Sequence, residues 1–310
     1  MKAIKMTLAA VGAGFFAIGA MAQDKAVDWT DMTISPVLNP VFFEDPTIRT
    51  EVRPIFIHHN IGNGFPSALA LGGGDVQLYA AQIRWAVNDR LAIIARKDGY
   101  VSADLGALHT LSGQADRYDG FADLQAGVKY AVIDDKEKQL IVTPGLTLEL
   151  PTGNQEVFQG HGMGEWDLFV SAAKGYNKFH VTGNAGLRLP NNMSKNTAQL
   201  HYSLQLDNYL HRYFIPFVAA NAFTTLNSTG AGTAVNHQGV AAALPFNTEG
   251  FDLINFGSSQ AAGTTRLTLG LGFRSRILDN LYAGFGWEKA AGVGNSLFDD
   301  RYTIDFIFRF

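Results

Sequence analysis

The chain ends Arg301-Tyr302-Thr303-Ile304-Asp305-Phe306-Ile307-Phe308-Arg309-Phe310, ten residues in which apolar and polar side chains alternate. Tyr302, Ile304, Phe306, Phe308 and Phe310 occupy every second position. Arg301, Thr303, Asp305 and Arg309 fall between them, with Ile307 as the apolar exception. Successive side chains on a strand point to opposite faces, so this strand has one apolar, aromatic face and one charged face. A soluble sandwich strand also alternates, but its apolar face meets a second sheet and its polar face meets water. An aromatic face that runs to the terminal Phe310, backed by two arginines and an aspartate, instead suits a wall with lipid outside and a polar lumen inside.

The same alternation recurs upstream. Leu267, Leu269, Leu271 and Phe273 read as lipid-facing, with Arg266, Thr268, Arg274 and Arg276 inward. Leu200, Tyr202, Leu204 and Leu206 oppose Gln199, His201, Ser203, Gln205 and Asp207 in the same way. A charge facing lipid at mid-depth costs about 2–4 kcal/mol in a barrel, so a slip of one residue would be expensive on every strand. Twelve strand-like segments are expected, at 49–59, 74–87, 91–98, 120–133, 138–150, 164–175, 178–189, 197–207, 212–224, 264–276, 280–289 and 301–310. Their links alternate short and long, from Asn88-Asp89-Arg90 and Tyr176-Asn177 to 99–119 and 225–263. Outer-membrane barrels have short periplasmic turns and longer extracellular loops. The expected fold is all-β, a transmembrane antiparallel β-barrel of about twelve strands.

The other end of the chain predicts export. Lys2 and Lys5 precede a small, apolar run from Thr7 to Ala20, and Ala20-Met21-Ala22 forms an A-x-A cleavage site. That is the pattern of a secretory signal peptide, residues 1–22, and the run is too short for a spanning helix. Residues 23–48 carry Pro36, Pro40 and Pro46 and alternate poorly. They predict an extended segment, either periplasmic or plugging the lumen, with Phe42 and Phe43 docking it onto something. The barrel itself would be residues 49–310, in the outer membrane. The 33 glycines, 22 phenylalanines and 10 tyrosines among 310 residues suit crowded curved strands and interfacial aromatic girdles. The net charge of −4 comes with no basic block, which argues against nucleic acid as a partner, and there are no cysteines for disulfides or thiolate chemistry.

The terminal strand resembles the C-terminal recognition strand of bacterial outer-membrane barrels, which implies the barrel-assembly machinery as a partner through the strand ending at Phe310. A second resemblance rests on Leu148-Glu149-Leu150-Pro151-Thr152-Gly153-Asn154, then Gly160-His161-Gly162-Met163-Gly164-Glu165-Trp166-Asp167, then Asn184-Ala185-Gly186-Leu187-Arg188. A strand ending Glu-Leu-Pro-Thr-Gly, a Gly-rich loop and Trp-Asp opening the next strand resemble the outer-membrane family named for the meta-pathway of phenol degradation. That resemblance covers roughly residues 140–190. It implies passage of aromatic or other hydrophobic small molecules and no catalytic residues. The glycine run lacks the Lys-Ser/Thr of a phosphate loop.

The register places Glu149, Asp167, Arg188, Arg266, Arg274, Arg276, Glu288, Asp305 and Arg309 inward, with Glu51, Arg53, Arg84, Asp123 and Lys129. Rings of charge tune selectivity in pores, so these are the candidate selectivity residues, Arg274, Arg276 and Arg309 forming a positive ladder beside Asp305 and Glu288. The alternative is a lumen-filling network of paired charges. His58 and His59 point to opposite faces and suit the rim better than a metal. His201 and Ser203 share a strand face, which leaves a lipid hydrolase as a rival, and a closed structural or adhesive barrel as another. The 225–263 link predicts a loop over the outer mouth, with Phe251 and Phe256, like Phe42 and Phe43, plugging or gating the route. The expected role is a channel or transporter for small molecules, hydrophobic or aromatic ones included. Outer-membrane lipids and the solute are the partners, with no enzyme activity, cofactor or metal.

Overall fold

The computed structural model describes residues 28–62, 73–104, 117–230, 247, 249–291 and 298–310. The expected signal peptide, 1–22, lies outside these. After a short helix α1 (Trp29–Met32) the chain is β-structure: β1 Glu51–Ile61, β2 Asp75–Ala86, β3 Leu91–Lys97, β4 Tyr100–Asp104, β5 Tyr118–Phe121, β6 Leu124–Tyr130, β7 Ile133–Asp135 and β8 Leu140–Leu150. There follow β9 Glu165–Tyr176, β10 Phe179–Pro190, β11 Gln199–Asn208, β12 Ile215–Thr225, β13 Thr265–Arg276, β14 Leu281–Ala291 and β15 Phe298–Arg309.

The fifteen strands make twelve staves, since β3 and β4 share one and β5, β6 and β7 share another. All pairings are antiparallel, and β15 returns to pair with β1, placing Tyr302 opposite His58 and Arg309 opposite Glu51. The sheet therefore closes on itself as a transmembrane barrel. No described helix is long and apolar enough to cross a membrane; the crossing elements are strands.

The alternation in sequence becomes the two faces of the wall. On β13, Leu267, Leu269, Leu271 and Phe273 are exposed while Arg266, Thr268 and Arg274 are buried. On β15, Tyr302, Ile304, Phe306 and Phe308 point outward and Arg301, Thr303, Asp305 and Ile307 inward, so even the apolar exception Ile307 keeps the register. The result is an apolar outer belt that suits hydrocarbon and a polar interior.

Two expected boundaries differ. The third stave does not stop at 98; it breaks at Asp98-Gly99 and resumes as β4, so the long link that follows starts after Asp104. The fourth opens at Tyr118 and breaks at Ala122-Asp123. Glycine and aspartate ended the strand pattern in sequence, whereas in the structure they only interrupt it.

Candidate functional site

The lumen is filled by the N-terminal segment, which enters at the short-turn end. Trp29 packs there with Ala131, Ile141 and Ala173. The chain then climbs, with Ile34, Val37 and Leu38 against Ile215, Phe217 and Ala219. At Asn39, whose φ is 51°, it reverses, and the Phe43 N–H donates to the Asn39 carbonyl at 2.9 Å. It descends again to Ile48, beside Ala92, Ile94 and Phe169. The wall makes room for Leu38 with glycines: a Cβ on Gly270 or Gly286 would lie 2.3 or 2.5 Å from a Leu38 methyl carbon.

Charges lock this hairpin. Glu44 accepts two hydrogen bonds from Arg84, both at 2.8 Å, and one from Lys129 Nζ at 2.7 Å. Arg53 donates to the Pro36 carbonyl at 2.7 Å and Arg274 to the Ser35 carbonyl at 3.1 Å, while both arginines also hold Asp305. Arg84, Lys129, Arg53 and Arg274 come from the spanning strands; Glu44 and Asp45 lie on the lumen segment. Burial alone would raise both carboxyls. Arg84 and Lys129 outweigh it and hold Glu44 well below its ordinary 4.5. Lys129, Arg49 and the Ser35 hydroxyl take Asp45 down to about 2.

From the long-loop end, residues 249–258 fold inward and meet the hairpin. Phe251 packs with Phe42, Val41, Phe223 and Phe298 in one buried cluster. Asp252 accepts from Arg301 Nη1 at 2.7 Å, and the Phe251 carbonyl accepts from Arg188 Nη1 at 3.2 Å. Glu249 takes the Thr197 hydroxyl at 2.9 Å. Phe256 stands edge-on to Phe158, ring centres 5.6 Å apart. Among the described residues, these two segments occupy the axial path and meet in one cluster, where Phe42 and Phe251 both pack on Phe223.

One sector of the lumen is mostly apolar. Ile55, Ile57, Leu78, Val101, Tyr118, Ala122 and Val157 form a buried apolar wall there. Beside it lies a small cavity of about 40 Å³, mostly apolar but also lined by Arg96 and Lys97, reaching from Val41 and Ile57 to Asp98, Phe158 and Ile254. Its Asp98 edge is the break in the third stave. β2 pairs with β3 up to Ile83–Ala95 and with β4 from Tyr79–Tyr100, and Ala80–Gln82 between them face no ladder partner on that side. The Ala81 N–H instead donates to Asp98 Oδ1 at 3.0 Å. Gly99 sits at φ +113°, and a Cβ there would lie 2.4 Å from the Tyr79 carbonyl oxygen, so the break requires glycine.

The fold is that of an outer-membrane β-barrel. An outer-membrane channel from Pseudomonas putida F1 matches over 90% of this chain and 100% of its own, with TM-score 0.54 and 13% identity. The NanC porin covers 84% of this chain and 100% of itself at TM-score 0.48 and 8% identity. The KdgM porin covers 84% and 99% at TM-score 0.47 and 7% identity. At 13% identity the likeness to the Pseudomonas putida channel speaks for the fold alone. No protein-family model and no curated protein matches the sequence.

The barrel brings most of the sequence-predicted charges inward and pairs most of them. Arg274 grips Asp305 with two bonds, 2.8 and 2.9 Å. Glu288 accepts from Arg301 at 2.7 Å, Asp167 from Arg96 at 2.5 Å and Glu149 from Lys97 at 2.7 Å. Arg188 donates to Glu165 at 2.7 Å and lies 4.4 Å over the Phe42 ring. Arg266 reaches Thr225 and Gln199. The expected ladder of Arg274, Arg276 and Arg309 does not form. Arg276 and Arg309 sit at the short-turn rim against the Tyr282 ring, Arg309 beside Glu51 and Asp31. His201 and Ser203 share a face as expected, yet His201 bonds Asp167 at 2.7 Å and Ser203 accepts from Asn39 at 3.1 Å, both buried under the hairpin. Arg96 and Lys97 were missed. A bulge between Ala95 and Lys97 turns both inward, and alternation alone assigns adjacent residues to opposite faces.

Proposed function

We propose that this protein resides in the outer membrane, short turns toward the periplasm, and passes small hydrophobic or aromatic molecules. This is the activity that the resemblance to the meta-pathway barrel family implies. The observation that carries the reading is the contrast between the two routes. Among the described residues the axial route is occupied by the hairpin and by 249–258, with most of its charges paired. The apolar cavity stands against the wall at the one place where Gly99 interrupts the ladder between β2 and its neighbours. An apolar solute gains by leaving water for that cavity and for the hydrocarbon beyond, whereas a hydrated ion finds no lined path. The proposed route is therefore lateral, from the outer mouth through the cavity to the bilayer beside Asp98-Gly99.

The test uses 1-N-phenylnaphthylamine, a small apolar fluorophore, presented to bacteria expressing the full chain. Faster uptake than in cells with an empty vector, unaccompanied by single-channel conductance in planar bilayers, supports the lateral route. Gly99→Val should slow uptake several-fold while the barrel stays folded by heat-shift electrophoresis. Steady ionic conductance from the intact chain with no gain in uptake would overturn the proposal in favour of an aqueous pore.

A further inference from the structure

A second, polar pocket adjoins the apolar cavity. The two share Lys97, Phe158, Gln159, Leu253 and Ile254 as walls. Two acceptors without hydrogen-bond partners among the described residues line the polar one. Glu149 uses Oε1 for Lys97 Nζ, and its buried Oε2 has none. His161 directs Nε2 at the Asn255 carbonyl oxygen, and its buried Nδ1 has none. A carbonyl cannot donate, so Nε2 carries a proton in this contact, and Nδ1 accepts when it carries none. Buried polar atoms ordinarily find a partner, and two acceptors at one small pocket call for donors.

We infer that the paired pockets bind a small apolar molecule bearing a hydroxyl, whose O–H donates to Glu149 or His161 while its hydrocarbon body lies among Ile57, Val101 and Phe158. This rests on the proposed apolar route and narrows its substrate class. A neutral donor fits better than an ammonium, because all three carboxylates of the pocket are already met: Glu149 by Lys97 at 2.7 Å, Glu165 by Arg188, and Asp123 by the N–H groups of Gly153 and Gly160. The arrangement selects by desolvation. A molecule that covers the acceptors without a donor leaves them buried and unsatisfied, the situation in which a missing hydrogen bond discriminates most.

The experiment is calorimetric titration of the full chain in lipid nanodiscs with phenol and with anisole, its methyl ether, each corrected against empty nanodiscs. Phenol should bind about tenfold more tightly than anisole. Glu149→Gln and, independently, His161→Leu should each cut that preference to within about threefold without weakening anisole. The second variant lies in the 151–164 loop, outside the strands, and keeps the test valid if the first fails to fold. Equal binding of phenol and anisole by the wild type would overturn the hydroxyl site and leave the apolar cavity standing, the pocket then holding water. A preference that survives in both variants would also overturn it. Binding of neither compound would instead sink the apolar route itself.

Discussion

Asp305 shows what a lumen charge does here. It is fully buried and serves two arginines at once, Arg53 from β1 and Arg274 from β13. Each arginine also spends one N–H on the hairpin backbone, so Asp305 orients the pair that grips Pro36 and Ser35. Removing one partner of a buried pair leaves an uncompensated charge, at a cost of about 3–5 kcal/mol. Asp305→Asn should therefore lower the unfolding free energy of the barrel, read from urea titration in vesicles, by that much, whereas Asp299→Asn, whose half-exposed carboxylate is 3.8 Å from Lys289, should change it by less than about 0.5 kcal/mol. Indistinguishable values would mean that water reaches the Asp305 site. The carboxylates of the hairpin give a second prediction, in pH. Glu44 and Asp45 have folded values below their ordinary ones, so the docking stability they supply is complete above about pH 4.5. It is lost as pH falls through the folded values, for Asp45 about 2. Protease cleavage within 28–48 should stay negligible from pH 7 to 5 and rise after brief exposure near pH 2, with Glu44→Gln cleaved already at neutral pH. Resistance of that variant at pH 7 would show that Arg84 and Lys129 do not hold the hairpin.

At the scale of elements, the hairpin and the wall are fitted to one another by side-chain size. Val37 and Leu38 occupy the space that Gly270, Gly284 and Gly286 leave on β13 and β14. Gly286→Val would drive a branched side chain into Leu38, and it should raise hairpin proteolysis at least several-fold while the outward face keeps the barrel inserted. Leu38→Ala in the same chain should restore protection, since it vacates the contested volume; failure of that rescue would place the defect in the strand. This fit also marks where the sequence stops being legible. Alternation fixed the inward and outward sets because a one-residue slip would put Arg266, Arg274 and Arg301 into lipid together. The prolines and Phe42-Phe43 marked 23–48 as something other than a strand, and left open whether it lay inside. What alternation does not encode is partnership across the lumen. Arg53 and Asp305 stand 252 residues apart, and Glu44 finds Lys129 across the barrel from a segment with no periodicity at all. The bulge at Arg96 and the glycine break at Gly99 are invisible to it for a related reason, since both are departures from period two.

For the whole molecule, the two closing segments make opposite demands on its permeability. The hairpin enters from the short-turn end and residues 249–258 from the long-loop end, and they meet in the cluster of Phe42, Phe223 and Phe251. A twelve-stave barrel emptied of its filling has a lumen intermediate between side-chain-packed small barrels and aqueous porins. Removing residues 23–48 takes away Glu44, Asp45 and the apolar core of the hairpin together, and leaves Arg53, Arg84, Arg96, Lys129 and Arg274 facing the emptied space with fewer acidic partners. The chain beginning at residue 49 should therefore conduct steadily in a planar bilayer, prefer anions to cations, and lose that preference as salt rises through about 1 M, where screening shortens to about 3 Å. The intact chain should be silent on the same membrane, and its uptake of apolar solute should match that of the shortened chain, because the cavity beside Gly99 is built mainly from β1, β2, β4 and the 151–164 loop. Conductance in both, unchanged by the deletion, would place the ion path outside the hairpin and remove the reason for assigning separate routes to charged and apolar solutes.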